Sequence, residues 1–238
     1  MQRRRSLLSG ATLARFVRVP AGAFGYDAAM LSSIPAATRA LLLLNVVIFG
    51  VQALTGSLLV EPFALWPPAS PQYPAAPSFE VWQLLTYGFL HGSLGHLFFN
   101  MFALWMFGGE IERLLGTRRF VTYYLACVVG AAVAQLVVVG NMDRPPVPTV
   151  GASGGVFGLL LAFGMAFPQR RIMLIFPPIP MPAWLFVTLY GAFELYLGVT
   201  GSGQGVAHFA HLGGMAAGYA LLVYWRGKAS RPMPRGGP

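Results

Sequence analysis

The sequence predicts an all-α membrane protein, a bundle of six transmembrane helices with both termini on the cytoplasmic side. Three observations carry this. Of 238 residues, 56% are hydrophobic and only 10% charged, against about 25% charged in a soluble globular domain. Mean hydropathy is +0.63. Apolar runs long enough, or nearly long enough, to span a bilayer occur six times, and the Arg and Lys residues fall almost entirely in alternate connections between them. A chain so short of charge cannot cover a water-facing surface, which excludes a single soluble domain.

The runs are 40–59, 94–107, 120–139, 152–167, 184–199 and 206–225. A span needs about 20 residues at 1.5 Å each, and about 17 can suffice, so the second and fourth are short, although the second can extend on either side. Short, glycine-interrupted spans are where membrane proteins tend to build sites. Before or at the opening of the first run stand Arg3, Arg4, Arg5, Arg15, Arg18 and Arg39. Arg113, Arg118 and Arg119 lie between the second and third, and Arg170 and Arg171 between the fourth and fifth. Arg226, Lys228, Arg231 and Arg235 follow the sixth, leaving Arg144 alone on the other side. Positive charge marks the cytoplasmic side, so an even number of spans with both ends inside accounts for the split.

The predicted organisation is a basic tail over 1–33, a six-span domain over 34–226 and a second basic tail over 227–238. Residues 1–29 read as an upstream extension, with no cleavable signal peptide evident. The formal net charge of +9 has a use as cytoplasmic anchoring against anionic lipid heads, so the bilayer is the expected partner and nucleic acid is not. Cys127 lies within an apolar run and says nothing of disulfides or metals. The connection 60–91 has no Arg or Lys and is rich in Pro and aromatics, Trp66, Phe79 and Trp82 among them. It reads as a segment lying against the outer leaflet. There are no internal repeats, and the sequence leaves the oligomeric state open.

Polar groups inside spans are costly and mark function. Here they are His91, His96 and Asn100 near the start of the second run, Ser153 in the fourth, Glu194 late in the fifth, and His208 and His211 early in the sixth. The second, fourth and sixth runs all point from outside to inside, so their starts share one depth. Ser153 lies in Gly151-Ala152-Ser153-Gly154, where a helix N-terminus could serve an oxyanion; a serine with glycines at spacing four also suits plain helix packing. His211, Gly214 and Gly218 share a helix face. If that face meets the Gly154 and Gly158 face, the imidazole reaches the serine and can act as its base. His208, one turn earlier, is the rival base and reads as a polar group nearer the water. His96 and Asn100, at i and i+4, can aim N–H donors at one oxygen. His91 reads as structural. Four histidines invite a metal, but no His-Glu-x-x-His signature or nearby cysteine accompanies them, and no metal or cofactor is expected.

His91-x4-His96-x3-Asn100, Gly151-x-Ser153-Gly154 and Ala210-His211-x2-Gly214-x3-Gly218, in that order on the second, fourth and sixth runs, resemble the rhomboid family of intramembrane proteases. The resemblance covers about 40–224, and Glu112-x3-Gly116 is similar to a further family motif at a cytoplasmic turn. It implies a serine endopeptidase with a Ser153–His211 dyad and no acidic third member. His96, Asn100 and the Ser153 backbone N–H would form the oxyanion hole. It also implies transmembrane protein substrates and a cavity open to the outside. Two positions depart from the family pattern. Trp82 is followed by Gln83 rather than Arg, and Phe157 stands where a Tyr often packs on the catalytic histidine. Glu194 reads as a polar structural group near a helix end. A non-catalytic relative would lack the serine or histidine, and a proton-relay transporter would carry charges at mid-membrane on several spans. The short tails point to a bacterial cytoplasmic membrane, although an Arg-rich, acid-poor N-terminus also suits an organelle.

Overall fold

The computed structural model describes residues 34–140, 145–174, 178–201 and 207–229, nearly all of them helical or in short connections. The 1–33 tail, Arg144, Arg231 and Arg235 lie outside the described residues. Helix α1 is Ala36–Thr55. The first apolar run was expected to continue to residue 59, but the chain breaks at Gly56, whose φ of +58° suits a residue without Cβ. It restarts as α2, Ser57–Phe63. The short α3, Gln83–Thr86, passes into a 3₁₀ turn, Tyr87–Phe89.

Helix α4, Leu94–Ala103, is capped by the Ser93 hydroxyl, which accepts from the His96 N–H. It runs through a π-helical turn, Leu104–Gly108, into α5, Gly109–Leu115. The second run therefore extends beyond residue 107, and at 1.5 Å per residue reaches about 30 Å. Then come α6, Thr117–Val139, and α7, Ser153–Ala166. A small antiparallel pair follows, β1, Arg171–Met173, with β2, Pro180–Pro182. Helix α8 is Ala183–Thr200 and α9 is His208–Ala229, the latter running into the predicted C-terminal tail.

Helices α1, α6 and α8 are each long and apolar enough to cross a membrane. Leu43, Val47 and Leu54 of α1 and Phe193, Tyr196 and Val199 of α8 face outward, the reverse of a water-soluble surface. Helix α7 is apolar all round and only 14 residues long, and most of it is buried. A helix hydrophobic on every face belongs inside. It lies against α6 and α9, and this inner trio positions the site.

The connection between α2 and α3 is tied down from within. Leu65 and Thr149 exchange backbone hydrogen bonds, N–H to O, of 3.0 and 2.9 Å, joining it to the segment before α7. Gln83, where the family pattern has Arg, is 1% exposed. Its side-chain oxygen accepts from the Trp66 and Glu80 N–H groups, and its amide donates to the Pro62 carbonyl. An uncharged amide thus anchors the loop by pairing both its donor and its acceptor. Val81 (68% exposed) and Trp82 (49%) present apolar surface outward.

At the opposite end Glu112 is a buried hub. Its carboxylate accepts from the Ala37 and Thr38 N–H groups and from the Thr38 and Thr117 hydroxyls, at 2.7–3.0 Å. It thereby caps α1 and clamps α5 to it. Four hydrogen bonds from Ala37, Thr38 and Thr117 offset the cost of burying the carboxylate. Glu112→Ala is expected to destabilise the fold by about 3 kcal/mol by orphaning buried donors. Thermal unfolding in detergent should show Glu112→Ala melting below the wild type and Glu112→Gln, which keeps one acceptor oxygen, melting between the two.

Candidate active site

Ser153 is the first residue of α7, where a helix leaves its leading N–H groups without intrahelical partners. The turn into it is made by Gly151, at φ +131°. A Cβ there would lie 2.7 Å from Cε1 of His96 and 2.8 Å from its Nε2, so only glycine admits the imidazole. The Gly151 N–H donates to the Tyr87 carbonyl at 2.9 Å, and the Tyr87 hydroxyl donates to the Val128 carbonyl at 2.8 Å. The segment carrying the serine is thus pinned to α6.

His211 arrives from α9. The two helices cross where a Cβ on Gly214 would meet the carbonyl oxygen of Gly154, so the backbones themselves are in contact. This puts Nε2 of His211 2.9 Å from Oγ of Ser153, a hydrogen-bonding distance. Phe157, one turn after the serine, lies flat on the imidazole, with centroids 4.1 Å apart and planes 6° from parallel. The phenyl ring therefore holds the histidine without needing a hydroxyl. The Gly218 half of the expected stripe contact differs: Gly218 faces Tyr123 and Cys127 of α6. Helix α6 wedges between α7 and α9 below the site, so the two glycine faces touch only near its level.

Glu194, which reads from the sequence as a polar structural group, lies against both histidines of α9. Its Oε2 lies 2.8 Å from Nδ1 of His211 and 2.7 Å from Nδ1 of His208. Both Glu194 and His208 are buried, so His208 is an interior group rather than an interfacial one. The signal was available in part. Glu194 is the only carboxylate in any of the six apolar runs, and a buried carboxylate requires hydrogen-bond donors. Glu194, His208 and His211 bring ligand atoms within 4.8 Å of one another, a grouping that could hold a metal ion. An ionised carboxylate only accepts, however. With no cation between them and Glu194 ionised, both Nδ1 atoms therefore carry their protons toward it.

His96 and Asn100 share with Ser153 and His211 a cavity of about 1390 Å³. The Gly92 N–H points at Nδ1 of His96 at 3.4 Å. That assigns the ring proton to Nε2, the atom beside Gly151 and Ser153. Asn100 spends one amide hydrogen on the His96 carbonyl at 2.9 Å and keeps a second. His91 is buried, and its backbone pairs with the side chain of Gln52 on α1 in both directions. Burial, with His96 adding to it, pushes its imidazole down to about 4, so it is neutral at physiological pH.

A hydroxyl bonded to an imidazole, with N–H donors alongside, is the equipment for acyl transfer. The comparisons agree with that class. A rhomboid domain matches residues 78–228. The chain is 26% identical over 211 residues to rhomboid protease GlpG of Yersinia pestis, covering 87% of this chain and 68% of that protein. It is 32% identical over 145 residues to rhomboid protein 1, mitochondrial, of Saccharomyces cerevisiae, covering 58% and 39%. The chain belongs to the rhomboid family. It is a serine-type protease, and its apolar helices make it an integral membrane protein.

Proposed function

We propose that this chain is an intramembrane endopeptidase that cleaves transmembrane segments of membrane-protein substrates, with Ser153 as nucleophile and His211 as base. The observation that carries this is the 2.9 Å approach of His211 Nε2 to Ser153 Oγ across the Gly154–Gly214 crossing. Ser153 Oγ attacks the scissile carbonyl carbon while its proton passes to Nε2 of His211. The carbonyl oxygen becomes an oxyanion facing Nε2–H of His96, the spare amide hydrogen of Asn100 and the N–H of Ser153. Collapse expels the amine, which takes the proton from His211 and leaves an ester on Ser153. Water, deprotonated by the same imidazole, then hydrolyses the ester.

The chain crosses the membrane six times with both ends cytoplasmic, and the cavity opens to the opposite side. Water must reach a bond within the bilayer, and the cavity that holds Ser153, His211, His96 and Asn100 at the shared outer ends of α4, α7 and α9 admits it. The relative from Yersinia pestis favours a bacterial cytoplasmic membrane. The reaction needs no cofactor.

The test is cleavage of a single-span model substrate by detergent-solubilised protein. Cleavage in or near the outer part of the span, unaffected by chelators, is expected. Failure to cut any such span, or inhibition by chelation, contradicts the proposal. His96→Ala and Asn100→Ala should each lower kcat by about 10²-fold, the scale of losing one oxyanion donor.

A further inference from the structure

We propose that Glu194 is a positioning residue for His211 and is itself held by His208, so the centre works as a chain running Ser153–His211–Glu194–His208. This rests on the serine-protease reading and adds two members that the Ser–His dyad lacks. The argument begins from a single atom. Oε2 of Glu194 lies 2.8 Å from Nδ1 of His211 and 2.7 Å from Nδ1 of His208. A carboxylate has no proton to give, so both imidazoles donate to it. His211 then carries its proton on Nδ1, and Nε2 presents a lone pair to the Ser153 hydroxyl at 2.9 Å. The tautomer required of a general base is thus set by the acid on α8.

Charge supports the same assignment. The Glu194 carboxylate is 4% exposed, where electrostatic interactions are only weakly screened. When Nε2 accepts the serine proton, His211 becomes a cation 2.8 Å from that carboxylate, so the stabilisation grows as the reaction proceeds.

His208 supplies the other half of the device. It stands one turn before His211 on α9 and shares the same oxygen, which holds the carboxylate against rotation. Its Nε2 is buried and finds no hydrogen-bond partner among the described residues. The donor it points at Glu194 thus keeps that ring in place at the expense of its other nitrogen. The His211 ring is meanwhile held flat by Phe157 of α7. Each of the three helices α7, α8 and α9 contributes one restraint on the base.

The experiment pairs kinetics with spectroscopy on the full chain in detergent. Glu194→Gln keeps shape but loses charge, and should lower kcat by on the order of 10²-fold with KM unchanged. His208→Ala should lower it by about tenfold. In wild-type protein labelled with ¹⁵N-histidine, four imidazoles are to be assigned. His211 should appear as the Nδ1–H tautomer with its proton far downfield, and Glu194→Gln should remove that downfield signal. Packing alone would not move a tautomer. A wild-type kcat in Glu194→Gln, or an Nε2–H tautomer for His211 in the wild type, overturns the proposal. If wild type cleaves no substrate, the protease reading falls, and the His211 tautomer still decides the role of Glu194. Should Glu194→Gln fail to fold, the wild-type spectrum decides it in the same way.

Discussion

Ser153→Ala and His211→Ala each lower the cleavage rate by on the order of 10⁴-fold or more while leaving the helical bundle folded. The two losses should be nearly equal, and the double variant no worse than either single one. A hydroxyl without its base is a poor nucleophile at neutral pH, and a base without its hydroxyl has nothing to activate, so the pair acts as one unit. Stability should change little for Ser153→Ala, which removes one hydroxyl at the edge of a cavity. His211→Ala should cost about 2 kcal/mol more, since it leaves Phe157 without its stacked ring and a Glu194 oxygen with one donor fewer. Initial rates of substrate cleavage together with thermal unfolding of the same preparations separate the two effects.

Gly214→Ala is expected to cost both rate and stability, and it acts through the backbone. Its added methyl would meet the Gly154 carbonyl oxygen, a main-chain atom that cannot turn aside as a side chain can. The helices must part. Overpacking of this kind costs about 1–3 kcal/mol, and a separation of about 1 Å between base and nucleophile lowers the rate by about 10²-fold. Gly50→Ala is the control. Gly50 lies inside α1 with nothing within 4 Å of its would-be Cβ. The change should leave cleavage intact and add up to about 1 kcal/mol of stability through helix propensity. Equal behaviour of the two variants would mean that the crossing does not set the site.

How far this could be read from the sequence differs from element to element. The six apolar runs are plain in the hydropathy, and charge placement predicts one depth for Ser153, His96, Asn100 and His211, which line a single cavity. The break at Gly56 was missed because hydropathy does not register backbone conformation, and residues on both sides of it are apolar. That the second helix can extend beyond its apolar run is legible, but the end at Leu115 is not, because Glu110, Glu112 and Arg113 are charged and yet continue the same helical rod. Gly214 meeting Gly154 was legible as a close-packing face. That Gly218 meets Tyr123 instead was not, since spacing gives a face but not the neighbour it turns toward. Glu194 shows the same limit more strongly. Its position in the fifth apolar run marks it as anomalous, but only the rotation of α8 about its axis decides whether it meets lipid, a loop or His211. His208 looked interfacial from its place at a helix start, and the fold buries it against that carboxylate.

The central claim is that the crossing of α7 and α9 makes the Ser153 hydroxyl reactive through His211. The most direct measurement is mass-spectrometric mapping of a fluorophosphonate adduct on folded, detergent-solubilised protein, comparing wild type with His211→Ala. The account predicts a single adduct on Ser153 in the wild type and its loss in His211→Ala. An adduct elsewhere, or equal labelling of Ser153 in both proteins, would contradict it.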